Sequence, residues 1–158
     1  MVKISLPVFP VEGGCLCGAV RYEVTAAPFG VYRCHCKDCQ RLSSGPFALS
    51  MPMRAADFRL TKGTTVFYEK TADSGRKVHL HACGICGTKL YNEPLSAPEI
   101  VILKPGTLDD IGWARPVGNI WTASAVAWAE IDRDDINFER QPPSREPLYA
   151  AWAAEHLG

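Results

Sequence analysis

Seven cysteines in three tight clusters constrain this 158-residue chain more than any other feature of its sequence. The clusters are Cys15 with Cys17, then Cys34 with Cys36 and Cys39, and finally Cys83 with Cys86. Thiols that serve only for packing would be scattered along the chain. An odd number of cysteines without a visible export signal also argues against a disulfide framework. The clustering therefore predicts metal binding, because thiolates are favoured ligands of zinc.

The remaining composition is that of a globular protein with balanced charge. The sequence is 47% hydrophobic and 22% charged, with 17 basic and 17 acidic residues. A general nucleic-acid binder normally carries a basic excess, so this balance disfavours that class. The N-terminal segment shows no secretory signal, and no apolar run approaches the roughly 18 residues that span a membrane. We expect a cytoplasmic protein that binds neither nucleic acids nor membranes; its oligomeric state stays open.

Most of the chain carries the residue patterns of β-strands. Residues 19–24 alternate, with Val20, Tyr22 and Val24 on one face and charged side chains on the other. The other strand candidates are residues 64–70, 77–82, 99–104, 119–124 and 125–132. A polar connection with a late glycine joins the first two of these, which predicts a hairpin.

Helix signals are strongest near the C-terminus. Over residues 144–157, Ser144 can serve as the N-cap, and Leu148, Trp152 and Glu155 follow helical spacing. Single helical turns are expected at residues 39–44 and 55–58. The pattern as a whole predicts one mainly β domain that ends in a helical tail.

Glycines that follow the cysteines suggest how the seven thiols divide. The segments "CLCG" (15–18) and "CGICG" (83–87) both end in glycine, which lets the backbone turn tightly around a bound metal. Together they form a four-cysteine set, made of Cys15, Cys17, Cys83 and Cys86, which would close a tetrahedral structural zinc site. The three-cysteine set, made of Cys34, Cys36 and Cys39, would leave one coordination position open, as in catalytic zinc sites.

This division predicts two Zn²⁺ ions per chain. An alternative also remains open, in which Cys15, Cys17, Cys34 and Cys36 share one metal and Cys39 is left over. Three thiolates would give Zn²⁺ a net charge of −1, which makes it a weak Lewis acid but a good partner for a substrate thiol. Arg33, Lys37 and Arg41 flank the three-cysteine set and are candidates to offset its negative charge.

The cysteine pattern C-x-C, C-H-C-x-x-C and C-x-x-C-G-T resembles that of the glutathione-dependent formaldehyde-activating enzymes. This family shares its domain with centromere protein V. The matching segments follow the family's order and are residues 13–24, 34–48, 83–91, 106–110 and 119–132. They predict a zinc domain over residues 12–142, followed by a C-terminal helical tail over residues 143–158.

The resemblance implies a mainly β, zinc-stapled, tent-like fold of packed antiparallel sheets with a short C-terminal helix. It implies the four-cysteine set as structural ligands and Cys34, Cys36 and Cys39 as the catalytic set. The implied activity is that of a carbon–sulfur lyase, an S-(hydroxymethyl)glutathione synthase that joins or splits glutathione and formaldehyde. The partner would be a small-molecule thiol or thiol adduct. The identity of that thiol and the direction of the reaction remain open.

Two other functions compete with the lyase. A non-enzymatic, zinc-stabilised binding module would gain nothing from a three-ligand metal site. An enzyme like the sulfoxide reductases would need a thiol that no metal holds, and the predicted division leaves none.

Four further positions carry expectations. His35 lies between two ligands, so its side chain should point away from them, toward the surface or into a supporting role. His79 and His81 alternate with apolar residues and are predicted to face solvent. The family commonly has a lysine where this chain has Ala125. That difference predicts weaker binding of glutathione than of a smaller or less anionic thiol.

Overall fold

The computed structural model describes residues 4–157, which form two β-sheets and two α-helices. The strands are β1 (Val11–Gly14), β2 (Arg21–Val24), β3 (Tyr32–Cys34), β4 (Ala48–Arg54), β5 (Phe58–Lys62), β6 (Thr65–Thr71), β7 (Lys77–Cys83), β8 (Lys89–Pro94), β9 (Ile100–Leu103), β10 (Gly118–Ile120) and β11 (Ile136–Asn137). The helices are α1 (Lys37–Ser43) and α2 (Glu146–His156), and single 3-10 turns occur at Ala55–Asp57, Pro105–Thr107 and Thr122–Ser124. None of the helices within residues 4–157 has the length and apolar character needed to cross a membrane.

The small sheet has three strands and the large sheet has eight. Their orders are β1-β2-β5 and β11-β10-β3-β4-β9-β8-β7-β6. The prediction of a mainly β fold with a short C-terminal helix is confirmed. The strand pairs are antiparallel, as expected, except at one edge, where β10 pairs in parallel with both β3 and β11. The long connections that lead into β10 and β11 allow these strands to run in the same direction as β3.

The hydrophobic core lies between the two sheets. The alternation predicted for residues 19–24 is confirmed, since Val20, Tyr22 and Val24 are each at most 1% exposed. The ring of Phe58 on β5 links the sheets, with centroids 5.3 Å from Tyr22 and 4.7 Å from Tyr91 on β8. The apolar sides of both sheets therefore pack against each other, as two half-buried sheets must.

The C-terminal helix packs against this core. It begins at Glu146, whose backbone N–H donates to Ser144 Oγ at 3.1 Å. Leu148 and Trp152 lie on its buried face and are 1% and 0% exposed. The side chains predicted to follow helical spacing thus fasten the helix to the sheets.

The strand expected at residues 125–132 is absent; that segment consists of turns and irregular backbone. Trp121 adopts a left-handed conformation with φ of 59°, directly after β10. This conformation ends the strand, and the 3-10 turn Thr122–Ser124 follows directly. Trp128, within the segment, is 72% exposed, so no core forms beneath it. Without a neighbouring strand, the apolar composition of the segment does not produce a strand.

Candidate metal centres

The four-cysteine set joins two parts of the fold that are distant in sequence. Cys15 and Cys17 lie in the connection between β1 and β2, Cys83 ends β7, and Cys86 lies in the turn before β8. Their four sulfurs all lie within 4.8 Å of one another. Two Sγ–Sγ distances are 3.6 Å for Cys15–Cys17 and 3.8 Å for Cys17–Cys83. A tetrahedral zinc with Zn–S bonds of about 2.3 Å separates its sulfurs by about 3.8 Å, so this donor set fits zinc.

Backbone and hydroxyl donors surround these sulfurs. The N–H of Val20 lies 3.2 Å from Cys15 Sγ, and the N–H groups of Ile85 and Cys86 lie 3.4 and 3.5 Å from Cys83 Sγ. Hydrogen bonds from the Thr88 side chain and backbone lower the pKa of Cys86 to about 5. Donors of this kind stabilise thiolates, the form in which cysteine binds metals.

The glycine after the CxC segment and the glycine after the CxxC segment allow the tight turns that the sequence predicts. Gly18 and Gly87 have φ values of +78° and +76°, a region that other residues rarely adopt. Each glycine turns the chain immediately after a cysteine. The local sequence therefore explains how both segments curve around one point.

The three-cysteine set lies at the junction of β3 and α1. Cys34 ends β3 and is buried, and Cys36 is the residue that precedes the helix. Cys39 lies in the first turn of α1, where its N–H donates to Cys36 Sγ at 3.3 Å. The three sulfurs lie within 4.8 Å of one another, and no other His, Cys, Asp or Glu of residues 4–157 joins the group. These distances do not group Cys34 and Cys36 with Cys15 and Cys17, as the alternative division would require.

The three thiols interact with one another, and this interaction shifts the pKa values of Cys34 and Cys36 in opposite directions. Hydrogen bonds from the thiols of Cys34 and Cys39 lower the pKa of Cys36 to about 2. The same contacts, together with burial, raise the pKa of Cys34. Cysteine binds metals as the thiolate, so a divalent cation bound here would displace the protons of these thiols. The chemistry of this set fits a soft divalent metal such as zinc.

Two lysines place positive charge beside the three-cysteine set. Lys104 follows β9, and its electrostatic neighbours include all three thiols; burial lowers its pKa, and the negative sulfurs oppose that shift. Lys70 on β6 forms an ion pair with Asp38 of α1 at 2.5 Å. Partial burial opposes the charged form of Lys70, but the hydrogen bond to Asp38 raises its pKa.

The sequence alone favours the cations adjacent to these cysteines instead. Arg33 pairs with Asp135, and Lys37 and Arg41 are exposed. The only signal for Lys70 and Lys104 is that each ends a predicted strand. The strand order β3-β4-β9, which the sequence does not reveal, brings the end of β9 and Lys104 near the thiols. Lys70, on the far edge strand β6, lies near them through its ion pair with Asp38.

Two histidines lie in surroundings that the sequence did not predict. His35 is 0% exposed, and its Nε2 forms a hydrogen bond of 2.9 Å with Asn119 Oδ1 on β10. Of the two positions expected for His35, the surface position is wrong; the buried ring has a supporting role instead, since it ties the cysteine segment to β10. His81 is 9% exposed and bonds Thr65 Oγ1 through Nδ1 at 2.7 Å, so its predicted exposure is also wrong.

A cavity of about 220 Å³ is lined by residues of α1 and β4, the elements that flank the three-cysteine set. Its wall includes side chains from α1, from the start of β4 and from the adjoining face of the large sheet. Among them are Leu42, Ser43, Phe47, Leu80, Lys89 and Lys104. No cysteine lines the cavity, but Cys39 lies on the same short helix as Leu42 and Ser43, and Cys34 pairs with Ala48 of its wall. The cavity is mainly apolar with two cationic groups.

This chain is similar to a solved structure and matches a family model. A crystal structure of a Rhodobacter sphaeroides protein is similar over 62% of this chain and 87% of that chain, with 26% sequence identity and a TM-score of 0.51. The family model for the glutathione-dependent formaldehyde-activating enzyme matches residues 10–124, which include all seven cysteines. The chain therefore belongs to the glutathione-dependent formaldehyde-activating enzyme family.

Proposed function

We propose that this chain is a zinc-dependent carbon–sulfur lyase of the S-(hydroxymethyl)glutathione synthase type. Its substrates would be formaldehyde and a thiol such as glutathione, or the adduct of the two. The observation that carries the proposal is the three-cysteine set, which has no fourth protein ligand among residues 4–157 and shares helix α1 with the wall of a cavity. Family membership supports glutathione and formaldehyde as the chemistry of that site.

The two cysteine sets would have different roles. The four-cysteine set supplies every ligand that a tetrahedral zinc needs, which suits a structural site that staples the β1–β2 connection to the β7–β8 turn. In the three-cysteine set, Cys34, Cys36 and Cys39 would hold the second zinc. Zinc bound there would supply a position at which a substrate sulfur is held as a thiolate near neutral pH.

The bond changes of the proposed reaction are simple. In the direction of synthesis, the substrate thiolate attacks the carbonyl carbon of formaldehyde and forms the C–S bond. The π electrons of the carbonyl move to its oxygen, which takes a proton from water and becomes the hydroxyl of the adduct. In the reverse direction, that hydroxyl loses its proton, the C=O bond re-forms and the sulfur leaves as a thiolate. No oxidant or reductant is required.

The chain's own residues would position the thiol. The apolar wall, which includes Leu42 and Phe47, excludes water from one side of the cavity. Lys104 lies both in this wall and in the electrostatic environment of the thiols. Its ammonium group would therefore attract a carboxylate of the substrate while the substrate's sulfur reaches the cysteine set.

The proposal predicts that the protein accelerates exchange between free and thiol-bound formaldehyde. Exchange NMR with ¹³C-labelled formaldehyde and glutathione measures this rate directly, including the uncatalysed background. We expect exchange to increase in proportion to the concentration of zinc-replete protein. If zinc-replete, folded protein left the rate at background with glutathione and with smaller thiols, a binding module would be the better interpretation.

Lys104→Met should weaken the binding of glutathione by about 10-fold, the loss expected when one charge-assisted hydrogen bond disappears. A neutral thiol such as 2-mercaptoethanol has no carboxylate, so its binding should change by less than about twofold. Lys62→Met is the matched control, because Lys62 is an exposed lysine on the small sheet. Equal losses for both thiols would contradict a carboxylate-binding role and indicate that Lys104 only offsets the charge of the thiolates.

A further inference from the structure

A third cluster of metal-binding side chains lies on the large sheet, outside both cysteine sets. It contains His79 and His81 of β7 and Glu93 of β8, and one ligand atom from each lies within 4.8 Å of the others. The register explains the cluster, because His79 pairs directly with Glu93 and His81 is two residues further along the same face. Leu80, between the histidines, points to the opposite face and lines the cavity. The sheet therefore separates this cluster from the proposed thiol site.

His81 has a buried nitrogen without a hydrogen bond. Its side chain is 10% exposed, and Nε2 has no hydrogen-bond partner although Glu93 Oε2 lies only 3.1 Å away. A buried polar atom in this state is costly unless another partner satisfies it. Two ligands of one tetrahedral zinc, with bonds of about 2.0–2.2 Å, lie about 3.3 Å apart. The distance between these two atoms therefore suits two ligands of the same ion.

The groups around the cluster hold it in a ligating state. The Nδ1–H of His81 can donate to Thr65 Oγ1, which lies 2.7 Å away, and in that tautomer Nε2 carries the free lone pair. Metal-binding histidines commonly have such a partner on the second nitrogen. The ring of His81 stacks on Tyr91 with centroids 4.3 Å apart, so its orientation is fixed.

His79 is held in the same manner. Its ring stacks on Phe67 with centroids 4.1 Å apart, and its Nε2 lies 3.0 Å from Glu69 Oε2. Its side chain is 20% exposed and that of Glu93 is 43% exposed, so an ion can reach the cluster from solvent. The ring stacking therefore orders both histidines, and the cluster is open to solvent on the side of His79 and Glu93.

We propose that His79, His81 and Glu93 form a third metal site, for a divalent transition-metal ion such as Zn²⁺ or Co²⁺. Two imidazoles and one carboxylate suit these ions, and they leave a fourth position for water. The site carries a net charge of +1 when a divalent ion is bound, opposite in sign to the three-thiolate site. Because this site uses none of the cysteines, it does not depend on the proposed lyase function.

The test is a Co²⁺ titration of protein whose thiolate sites are already saturated with Zn²⁺. We expect one further equivalent to bind and to give visible ligand-field bands without sulfur-to-cobalt charge transfer, since its ligands are nitrogen and oxygen. His79→Gln and Glu93→Gln should each lower the affinity for this additional Co²⁺ by at least about 10-fold. Both side chains are partly exposed, so these variants should fold. His156→Gln is the matched control, because His156 bonds the backbone carbonyl of Ile4 instead.

Two results would overturn the proposal. One is that Co²⁺ at concentrations up to millimolar gives no ligand-field bands of a cobalt ion bound only by nitrogen and oxygen. The other is an additional equivalent that binds equally well to His79→Gln, Glu93→Gln and the unmodified chain. Neither result would affect the lyase proposal, since the cysteines remain unchanged in every variant.

Discussion

Cys83→Ser should prevent the chain from accumulating as a soluble folded protein. Cys83 is 2% exposed, ends β7, and its sulfur lies 3.8 Å from that of Cys17 in the distant β1–β2 connection. Loss of one ligand would open the proposed structural zinc site, whose binding contributes on the order of 10 kcal/mol to folding. That amount is comparable to the whole stability of a typical domain, about 5–15 kcal/mol. Soluble yield and thermal unfolding measure the effect, and Cys86→Ser should behave in the same manner.

The comparison that matters is with Cys39→Ser. Cys39 lies on the short helix α1, which has no buried residues, so its loss should leave the sheets and their core intact. Treatment of the unmodified protein with a strong zinc chelator should reproduce the effect of Cys83→Ser. Equal melting temperatures for Cys83→Ser and Cys39→Ser would contradict the assignment of a structural and a catalytic set.

Cys39→Ser should nevertheless lose the formaldehyde exchange activity by more than about 100-fold, since loss of a zinc ligand should exceed the 10–100-fold cost of losing an outer-shell partner. The remaining two thiols, Cys34 and Cys36, would hold the metal poorly and in the wrong geometry. Exchange NMR with glutathione measures the activity, and far-UV circular dichroism establishes that the variant is folded.

Lys37→Gln is the control for this second effect. Lys37 is exposed at the start of α1 and bonds only Gln40 among the described residues, at 3.3 Å. The Lys37→Gln variant should have an exchange activity within about twofold of that of the unmodified protein, as expected for a surface substitution of little energetic consequence. A folded Cys39→Ser variant with unchanged activity would contradict the proposal that the three-cysteine set takes part in the reaction.

Local patterns in the sequence predict the parts of the structure that depend on near neighbours. The period-two alternation at Val20, Tyr22 and Val24 identifies β2 and its buried face, because every second side chain of a strand shares one side. The spacing of Leu148 and Trp152 identifies the buried face of α2 in the same way. Glycines after Cys17 and Cys86 mark turns that require positive φ.

Features that depend on the order of strands were not predictable. Lys104 lies near the three-cysteine set because β9 is only two strands from β3 in the large sheet. Lys70 lies on β6, at the opposite edge of that sheet, and contacts α1 through Asp38. His81 is buried for the same kind of reason, since Thr65 and Tyr91 on neighbouring strands cover it. Alternation alone cannot distinguish a solvent-facing strand surface from one that other residues cover. The expected strand at 125–132 fails because no partner strand lies beside it.

Whether the three-cysteine set accepts a substrate thiol is tested most directly by the absorption spectrum of protein in which Co²⁺ replaces Zn²⁺. A fourth sulfur ligand should strengthen the sulfur-to-cobalt charge-transfer band. Glutathione should produce this change near neutral pH, because a metal-bound thiol ionises well below its usual pKa of about 8.5. S-methylglutathione, which has no thiol proton to lose, should leave the band unchanged, as should glutathione added to Cys39→Ser. If neither glutathione nor a smaller thiol at millimolar concentration changed the spectrum of metal-replete protein, the proposed thiol site would be wrong.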